Sequence, residues 1–399
     1  MNSDFTAIEG RSPGYWQLVV VLGVVLAIGM GAFLAVEFLG HGITNMTNRV
    51  VWGLPHVFAI SLLVMASGAL NLGSMSTVFA AKQYKQFGRF SAYLAIALLS
   101  GGLMVLMLDL GRPDRMLLPM LHMNFSSMFT WNVFLYSGFF ALCFLYLWSM
   151  FEYHQFTKVV GSAAFGWRLI LTTGTGSIFG VVQARDVFHS AITGPTFVAF
   201  SLSSGTALSA ILLILTYRHT HRELDKRLVF GLRNALIFFT LLVLYMLVVE
   251  KFTKFYSPAF FEVESWLLTG PYAWLYWGGV VFAGAVFPLA VLFLPKSGNS
   301  VDGVLLASAS SVLGVFCFVG HVLIAGQSYP FDMFPGYEIV NSVFQDGVAA
   351  SYSPGAVEIS LGLGGVALSG LIYLLGIKFF RLLPEKAVVP KGWEVPWNP

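Results

Sequence analysis

Two aspartates, two arginines and a turn with a glycine and a proline follow one of the apolar runs of this sequence, in residues 108–115 (LDLGRPDR). Asp109 is a candidate proton acceptor, because ionisable residues at the edge of a membrane helix are costly and usually functional. Gly111 can adopt the left-handed conformation that ends a helix, and Pro113 prevents the helix from continuing. The structural alternative is that the arginines contact lipid headgroups and that one of them neutralises Asp109.

Polar side chains near the ends of other predicted helices are expected on the same side of the membrane as Asp109. Because the helices alternate in direction, these residues all face outward: His56, Ser126, Ser127, Asn132, Gln183, Arg185, Asp186, Glu250, His321 and Glu358. A random scatter would divide them between the two faces, so they predict a pocket one to two helical turns below the outer surface. Imidazole or carboxylate groups there could deprotonate the hydroxyls of a ligand dissolved in the lipid, and a quinol fits that description.

Candidate roles follow from this outward cluster. His56 and Asp109 are the candidate catalytic residues, as proton acceptors from quinol. The candidate cofactor-binding residues are His56, Asp109, Arg112, Ser127, Asn132, Gln183, Arg185 and Glu358.

Structural roles are open for several of the same residues. His56 directly follows a proline at a helix start, where a histidine could be a plain interfacial residue. Ser127 and Asn132 could cap a helix or bond to neighbouring helices. Glu250 and Lys251 could form a surface ion pair, which would contribute little to stability.

The composition requires an all-α integral membrane protein, since 57% of the 399 residues are hydrophobic and only 10% are charged. Runs of about 20 apolar residues, the length that crosses the hydrocarbon layer, predict ten transmembrane helices. The predicted spans are 16–39, 55–80, 89–110, 127–150, 160–183, 195–217, 230–250, 272–294, 302–325 and 355–379. We expect one polytopic domain over residues 1–399, with paired four-helix bundles in a core at about 55–325 and peripheral helices at 16–39 and 355–379.

The distribution of basic residues predicts the orientation in the membrane. Most of the 22 Lys and Arg residues fall in alternate connections on one side. The positive-inside rule therefore places both termini in the cytoplasm and the Asp109 turn on the opposite side. The connections at 251–271 and 326–354 would also lie outside the cytoplasm, and they are long and aromatic enough to cover a site or receive a partner.

The sequence contains no set of residues spaced to bind a metal ion or cluster, and we expect no metal site. Cys143 and Cys317 lie in apolar runs outside any C-x-x-C pair, so an iron-sulfur cluster is expected in a partner instead. Of eight histidines, only His56 and His321 lie within apolar runs, which would allow one haem but not two. No basic tract suggests a nucleic-acid partner, and the lipid bilayer is the expected surroundings.

The sequence resembles the NrfD/polysulfide-reductase membrane-subunit (PsrC-like) family of quinone-interacting proteins. The residues that carry the resemblance are 109–115, the run 124–132 (NFSSMFTWN) and the run 52–56 (WGLPH). Within the family, residues 125–136 and 171–180 (LTTGTGSIFG) are most similar to the DsrP branch, the membrane subunits that link quinones to dissimilatory sulfur metabolism.

The resemblance implies a multi-pass subunit of the inner (cytoplasmic) membrane that holds neither haem nor iron-sulfur cluster. It would bind quinone, either menaquinone or ubiquinone, near the outer face, beside a ferredoxin-like iron-sulfur subunit and further cytochrome or membrane subunits. His56, Asp109 and Asn132 would surround the quinone headgroup. The first and last helices exceed the eight-helix form of the polysulfide reductase subunit, so Glu358 has no secure family counterpart.

The function predicted from the sequence is a quinol/quinone-binding subunit, inactive alone, that exchanges electrons between the membrane quinone pool and an outer iron-sulfur partner. Two alternatives remain. A secondary transporter would favour broken helices and a midplane site between repeats, whereas the polar residues here gather near one face. A haem b quinol oxidase subunit would show a Soret band when purified.

Overall fold

The structure is a computed structural model that describes residues 5–116, 118–330, 347–390 and 392–395. Within these ranges, nine helices are long and apolar enough to cross a membrane, and Thr157–Gly180 adds a tenth of 24 residues whose buried Thr, Gly and Arg side chains lower its hydropathy. Each of the ten predicted spans corresponds to one of these helices, so the prediction of an all-α membrane fold is confirmed. Most of the connection at 326–354, which the sequence predicts to lie outside the cytoplasm, falls outside the described residues.

The helices follow one another along the sequence in a simple order. They are α1 (Pro13–Leu39), α2 (Leu54–Ala69), α3 (Asn71–Thr77), α4 (Gly88–Leu108), α5 (Leu118–Leu121), α6 (Met128–Phe151), α7 (Thr157–Gly180), α8 (Thr193–His219), α9 (Lys226–Tyr256), α10 (Pro258–Thr269), α11 (Phe287–Phe293), α12 (Pro295–Gly298), α13 (Val301–Gly320), α14 (Gly326–Ser328) and α15 (Ala356–Phe379). Two π-helical segments extend two of these helices: Leu275–Val286 leads into α11, and His321–Ala325 joins α13 to α14.

The long helices form two bundles that pack side by side. The first contains α2 with α3, α4, α6 and α7, and the second contains α8, α9, α11 with its π-helical segment, and α13. Helices α1 and α15 pair outside the first bundle, where Gly29 and Gly364 allow a close approach: a Cβ on Gly29 would lie 2.8 Å from the Gly364 Cα. This is the predicted arrangement of paired bundles with peripheral first and last helices.

The segment 251–271 differs from the predicted outer loop. Helix α9 continues through Glu250 to Tyr256, and a separate helix, α10, follows directly. Glu264 of α10 receives a hydrogen bond from Lys251 of α9 (2.6 Å). The interpretation of Glu250 and Lys251 as a surface ion pair is therefore wrong, because Lys251 binds the fully buried carboxylate of Glu264 instead.

The described residues next to both termini lie at the end of the bundles opposite Asp109. The strand β1 (Phe5–Thr6) pairs antiparallel with β3 (Leu383–Pro384), and β2 (Glu223–Leu224) pairs parallel with β4 (Lys386–Ala387). Arg222 donates hydrogen bonds to the Thr6 and Leu383 carbonyls and so joins the two short sheets. The helices consequently present Asp109 at one end and the paired termini at the other.

Candidate functional site

His56 and Asp109 meet where the first turn of α2 lies beside the last turn of α4. Leu54 and Pro55 begin α2, since proline lacks only an N–H that has no partner at a helix start, and Asp109 caps α4. Nδ1 of His56 lies 2.9 Å from Oδ2 of Asp109. The Asp109 side chain is 2% exposed and that of His56 is 15% exposed, so the carboxylate lies behind an imidazole that remains accessible.

The carboxylate fixes what the imidazole can do. The 2.9 Å contact is an ion-pair distance, since among the described residues neither His56 Nδ1 nor Asp109 Oδ2 has a hydrogen-bond partner. A carboxylate at this distance favours the tautomer with the proton on Nδ1, which leaves Nε2 as the ring nitrogen that can accept a proton. The arrangement is that of a general base, His56, and a carboxylate, Asp109, that orients it.

The turn after Asp109 gives Arg112 a different role from the predicted one. Gly111 has φ 69°, and His41 lies against it with its Nε2 3.0 Å from the Asp109 carbonyl oxygen. Arg112 is exposed and binds Asp114 through two contacts of 3.1 Å. These hydrogen bonds and the guanidinium charge hold the pKa of Asp114 below its ordinary value. Arg112 thus neither neutralises Asp109 nor lies beside His56.

Gln327, at the end of α14, holds the segment that precedes His56. Its Oε1 accepts hydrogen bonds from the Val51 and Trp52 amides (2.9 and 3.1 Å). Its Nε2 donates to the Trp52 and Leu323 carbonyls (3.0 and 2.9 Å). Arg185 in turn donates to the Gln327 carbonyl (2.9 Å). Four hydrogen bonds satisfy this buried amide completely, which fixes the backbone on one side of the site.

Glu358 and Tyr352 hold the same segment from the other side. The Tyr352 hydroxyl donates to Glu358 Oε1 (2.7 Å) and accepts from the Leu54 amide (2.7 Å). Glu358 Oε2 accepts from the Gly355 and Asn45 amides. A Cβ at position 53 would lie 2.6 Å from the Tyr352 hydroxyl, so glycine is required there. Glu358, predicted to bind the cofactor, is buried in this network and positions the start of α2.

Aromatic rings form the wall next to His56. The Trp52 ring centroid lies 6.4 Å from that of His56, 6.2 Å from Phe129 and 5.6 Å from Phe179. Flat apolar rings beside an accessible imidazole suit an aromatic ligand with exchangeable hydroxyls. The site residues fit a quinone headgroup in this sense, with His56 as the polar contact.

The structure does not bring the remaining predicted residues to His56. The Asn132 amide donates to the Met128 and Gly174 carbonyls (2.8 and 3.2 Å), which links α6 to α7. Ser127 occupies the position before α6 without a capping hydrogen bond from its side chain, and Gln183 is exposed. Their assignment to the cofactor site stays a prediction.

Sequence reasoning missed Gln327, Tyr352 and Trp52. Trp52 was visible only as part of the WGLPH run, and Gln327 as an amide six positions beyond His321. Tyr352 carried no signal, since a tyrosine near a membrane boundary is usually part of an interfacial belt.

Comparison with known proteins gives a family match and several relatives. The family model described as "Polysulphide reductase, NrfD" matches residues 42–330. The Hdr-like menaquinol oxidoreductase integral membrane subunit of Archaeoglobus fulgidus is 34% identical over 97% of this sequence and 98% of the relative. The C subunit of the Wolinella succinogenes polysulfide reductase is 23% identical (72% and 98% covered), and the menaquinone reductase integral membrane subunit of Nitratidesulfovibrio vulgaris is 22% identical (91% and 91%).

Proposed function

Since the protein belongs to the polysulphide reductase NrfD family, we propose that it is the quinol/quinone-reactive membrane subunit of a multi-subunit oxidoreductase. The names of two relatives over nearly the whole sequence, a menaquinol oxidoreductase subunit and a menaquinone reductase subunit, support menaquinone as the quinone. The observation that carries the proposal is the buried Asp109 carboxylate 2.9 Å from the accessible imidazole of His56.

His56 acts as the proton acceptor in this proposal, and Asp109 orients it. Oxidation of a quinol releases two electrons and two protons, and the electrons leave to a redox partner. His56 Nε2 accepts the two protons one after the other, each as a quinol O–H bond breaks, and Asp109 stabilises the imidazolium that forms each time. Each proton then leaves toward the open end of α4, where Gly111 ends the helix. In quinone reduction, the same groups donate the proton.

The partner proposed for the electrons is a ferredoxin-like iron-sulfur subunit at the outer face. Helix α10 and the end of α9 support this position, because they expose Phe252, Tyr256 and Phe261 at the same end of the molecule as the site. We further propose that the complex lies in the cytoplasmic membrane and serves dissimilatory sulfur metabolism. The polysulfide reductase relative is consistent with sulfur chemistry.

The proposal is tested with the purified complex and a short-chain menaquinol. We expect quinol to reduce the iron-sulfur partner, and His56→Phe to abolish this reduction while the complex stays assembled. Asp114→Asn, an exposed carboxylate in the same turn as Asp109, is the matched control and should keep the wild-type rate. A wild-type complex that leaves menaquinol unoxidised, or a fully active His56→Phe complex, contradicts the proposal.

A further inference from the structure

A second group of charged residues lies in the other bundle, around a cavity that the proposed quinol reaction does not use. The cavity has a volume of about 40 Å³ and is lined by seven polar residues together with apolar ones. The polar residues are Thr193, Glu250, Lys251, Lys254, Glu264, Tyr276 and His321. A water molecule needs roughly 10–15 Å³ on such a measure, so the cavity has room for a few waters but not for a quinone headgroup.

The four charges are arranged as a neutral cluster centred on Glu264. Nζ of Lys251 and of Lys254 lie 2.6 and 2.9 Å from the two oxygens of this carboxylate, and Glu250 lies 4.0 Å from Lys254. Burial alone would raise the pKa of Glu264, but the two ammonium groups and their hydrogen bonds hold that pKa below its ordinary value. Glu264 and Lys254 are buried, and Glu250 and Lys251 are partly exposed. Buried charges are costly even when paired, so their pairing is weak evidence of a stabilising role.

His321 faces this cluster with an unsatisfied ring nitrogen. Its side chain is buried, and its Nδ1 has no hydrogen-bond partner in the part of the sequence that the structure describes. Its ring packs against Tyr276, at a centroid distance of 5.1 Å. An unpaired buried polar atom destabilises the fold, and a water in the cavity would supply the missing hydrogen bond.

The backbone near these two residues is also unusual. Tyr276 lies in the π-helical segment Leu275–Val286, and His321 begins the π-helical segment His321–Ala325. Wider π-helical turns are rare and occur frequently at functional sites. Two π-helical segments line this one cavity, which is unusual for a region that only packs helices together.

We propose that this cavity is a second site, which binds water and exchanges protons through His321. The groups that face the imidazole are Lys251, Lys254 and Glu250 on α9, Glu264 on α10 and Tyr276 on the opposing π-helical segment. A protonated water (H3O⁺) in the cavity donates a proton to the free ring nitrogen, so that an N–H bond forms, one O–H bond breaks and a neutral water remains; the Glu250 and Glu264 carboxylates offset the positive charge on the ring.

The second site is separate from the His56 site but adjoins it. Phe179 lines the cavity and packs against Trp52, which contacts His56. The helical run that carries His321 also contains Gln327, the residue that holds the Trp52 backbone. Use of this site during quinol turnover rests on the proposed function, whereas its hydration does not.

Hydration is tested by radiolytic hydroxyl-radical footprinting of the purified protein, which oxidises side chains next to bound water. Tyr276 should be modified several-fold faster than Tyr373, although both are 5% exposed. Tyr373 is the matched control because its hydroxyl is bonded to Thr216 away from the cavity. His321→Phe should lower the Tyr276 rate to that of Tyr373, and His321→Gln should preserve it. Equal rates for the two tyrosines in the wild type mean a dry cavity and overturn the proposal.

Proton exchange is tested by the protons released per quinol oxidised, measured in proteoliposomes that contain the complex. Both His321→Phe and His321→Gln should lower this ratio while the rate with an uncoupler is unchanged. His154→Phe, an exposed histidine at the other end of the bundles, should have no effect. An unchanged ratio overturns the proton role, and an equal loss of uncoupled rate assigns His321 to the quinol reaction instead. If the wild-type complex does not oxidise quinol, the proposed function is rejected, whereas footprinting still tests whether the second site binds water.

Discussion

The Nδ1 atom of His56 lies 2.9 Å from Oδ2 of Asp109, and this contact joins the start of α2 to the end of α4. The carboxylate is almost fully buried behind the ring, whereas the ring is partly open. Asp109 therefore acts on a bound quinol through His56 in the proposed mechanism, and His56 is the group that meets the hydroxyl. Substitution of each residue in turn separates these two roles.

Asp109→Asn should retain quinone but lose most of the quinol oxidation between about pH 6 and 8. The amide keeps the shape of the side chain, but it no longer stabilises an imidazolium or enforces the proton on Nδ1. We expect turnover to fall by roughly 10²-fold or more. Steady-state rates and bound-quinone content measure the two effects. Near-normal turnover across this range would make Asp109 a purely structural partner of His56.

His56→Phe should lower turnover at least as much as Asp109→Asn, because it removes the proton acceptor itself. The double variant should be no slower than His56→Phe alone, since residues that act as one unit are not additive. His122→Phe, an exposed histidine outside the contact, serves as the control. Independent, multiplying losses in the double variant would show that Asp109 acts on quinol without His56.

Gln327→Ala should lower turnover through the position of Trp52 and His56 while the pH profile stays unchanged. The variant loses the hydrogen bonds to the Val51 and Trp52 backbone but keeps the base and its carboxylate. A displacement on the order of 1 Å can cost roughly 10²-fold in rate. The pH dependence of kcat and kcat/KM checks this expectation. A shifted pH optimum would mean that Gln327 alters the chemistry of the base directly.

Gly111→Ala should destabilise the protein by about 1–3 kcal/mol, because an alanine at φ 69° is strained. Its Cβ would also lie 2.7 Å from Cε1 of His41. Gly23→Ala in α1 is the control, since no atom lies within 4 Å of a Cβ there. Thermal unfolding in detergent measures both variants. Equal melting temperatures would show that the turn tolerates a side chain.

The orientation proposed from the basic residues is tested with single cysteines at two exposed positions, Asn124 in the connection between α5 and α6 and Lys85 just before α4. A membrane-impermeant thiol reagent added outside intact cells should label position 124, and position 85 should react only after lysis. The protein without an added cysteine gives the background from Cys143 and Cys317. The reverse pattern would place both termini outside the cytoplasm.

The sequence by itself determined the membrane class and the ten helices, and it pointed to His56 and Asp109. Length and hydropathy are sufficient for the helices, because a lipid-exposed backbone must satisfy its hydrogen bonds internally. Gly111 and Pro113 marked the end of α4 because they restrict the local backbone. The resemblance on the 109–115 and WGLPH runs directed attention to the two helix ends that meet in the structure.

Only the tertiary structure decided which polar residues share a site. Arg112 is close to Asp109 in the sequence, yet it pairs with Asp114, because the left-handed Gly111 directs the backbone outward. Glu358 and Gln327 reach the start of α2 from distant helices, and their roles depend on packing that no local pattern encodes. The same holds for Lys251. Its partner Glu264 could not be predicted from the sequence, because the contact depends on the packing of α10 against α9. Local backbone conformation depends on residues that are close in the sequence, such as Gly111 and Pro113. The pairing of buried charges depends on how the helices pack, because the two partners come from segments that are distant in the sequence.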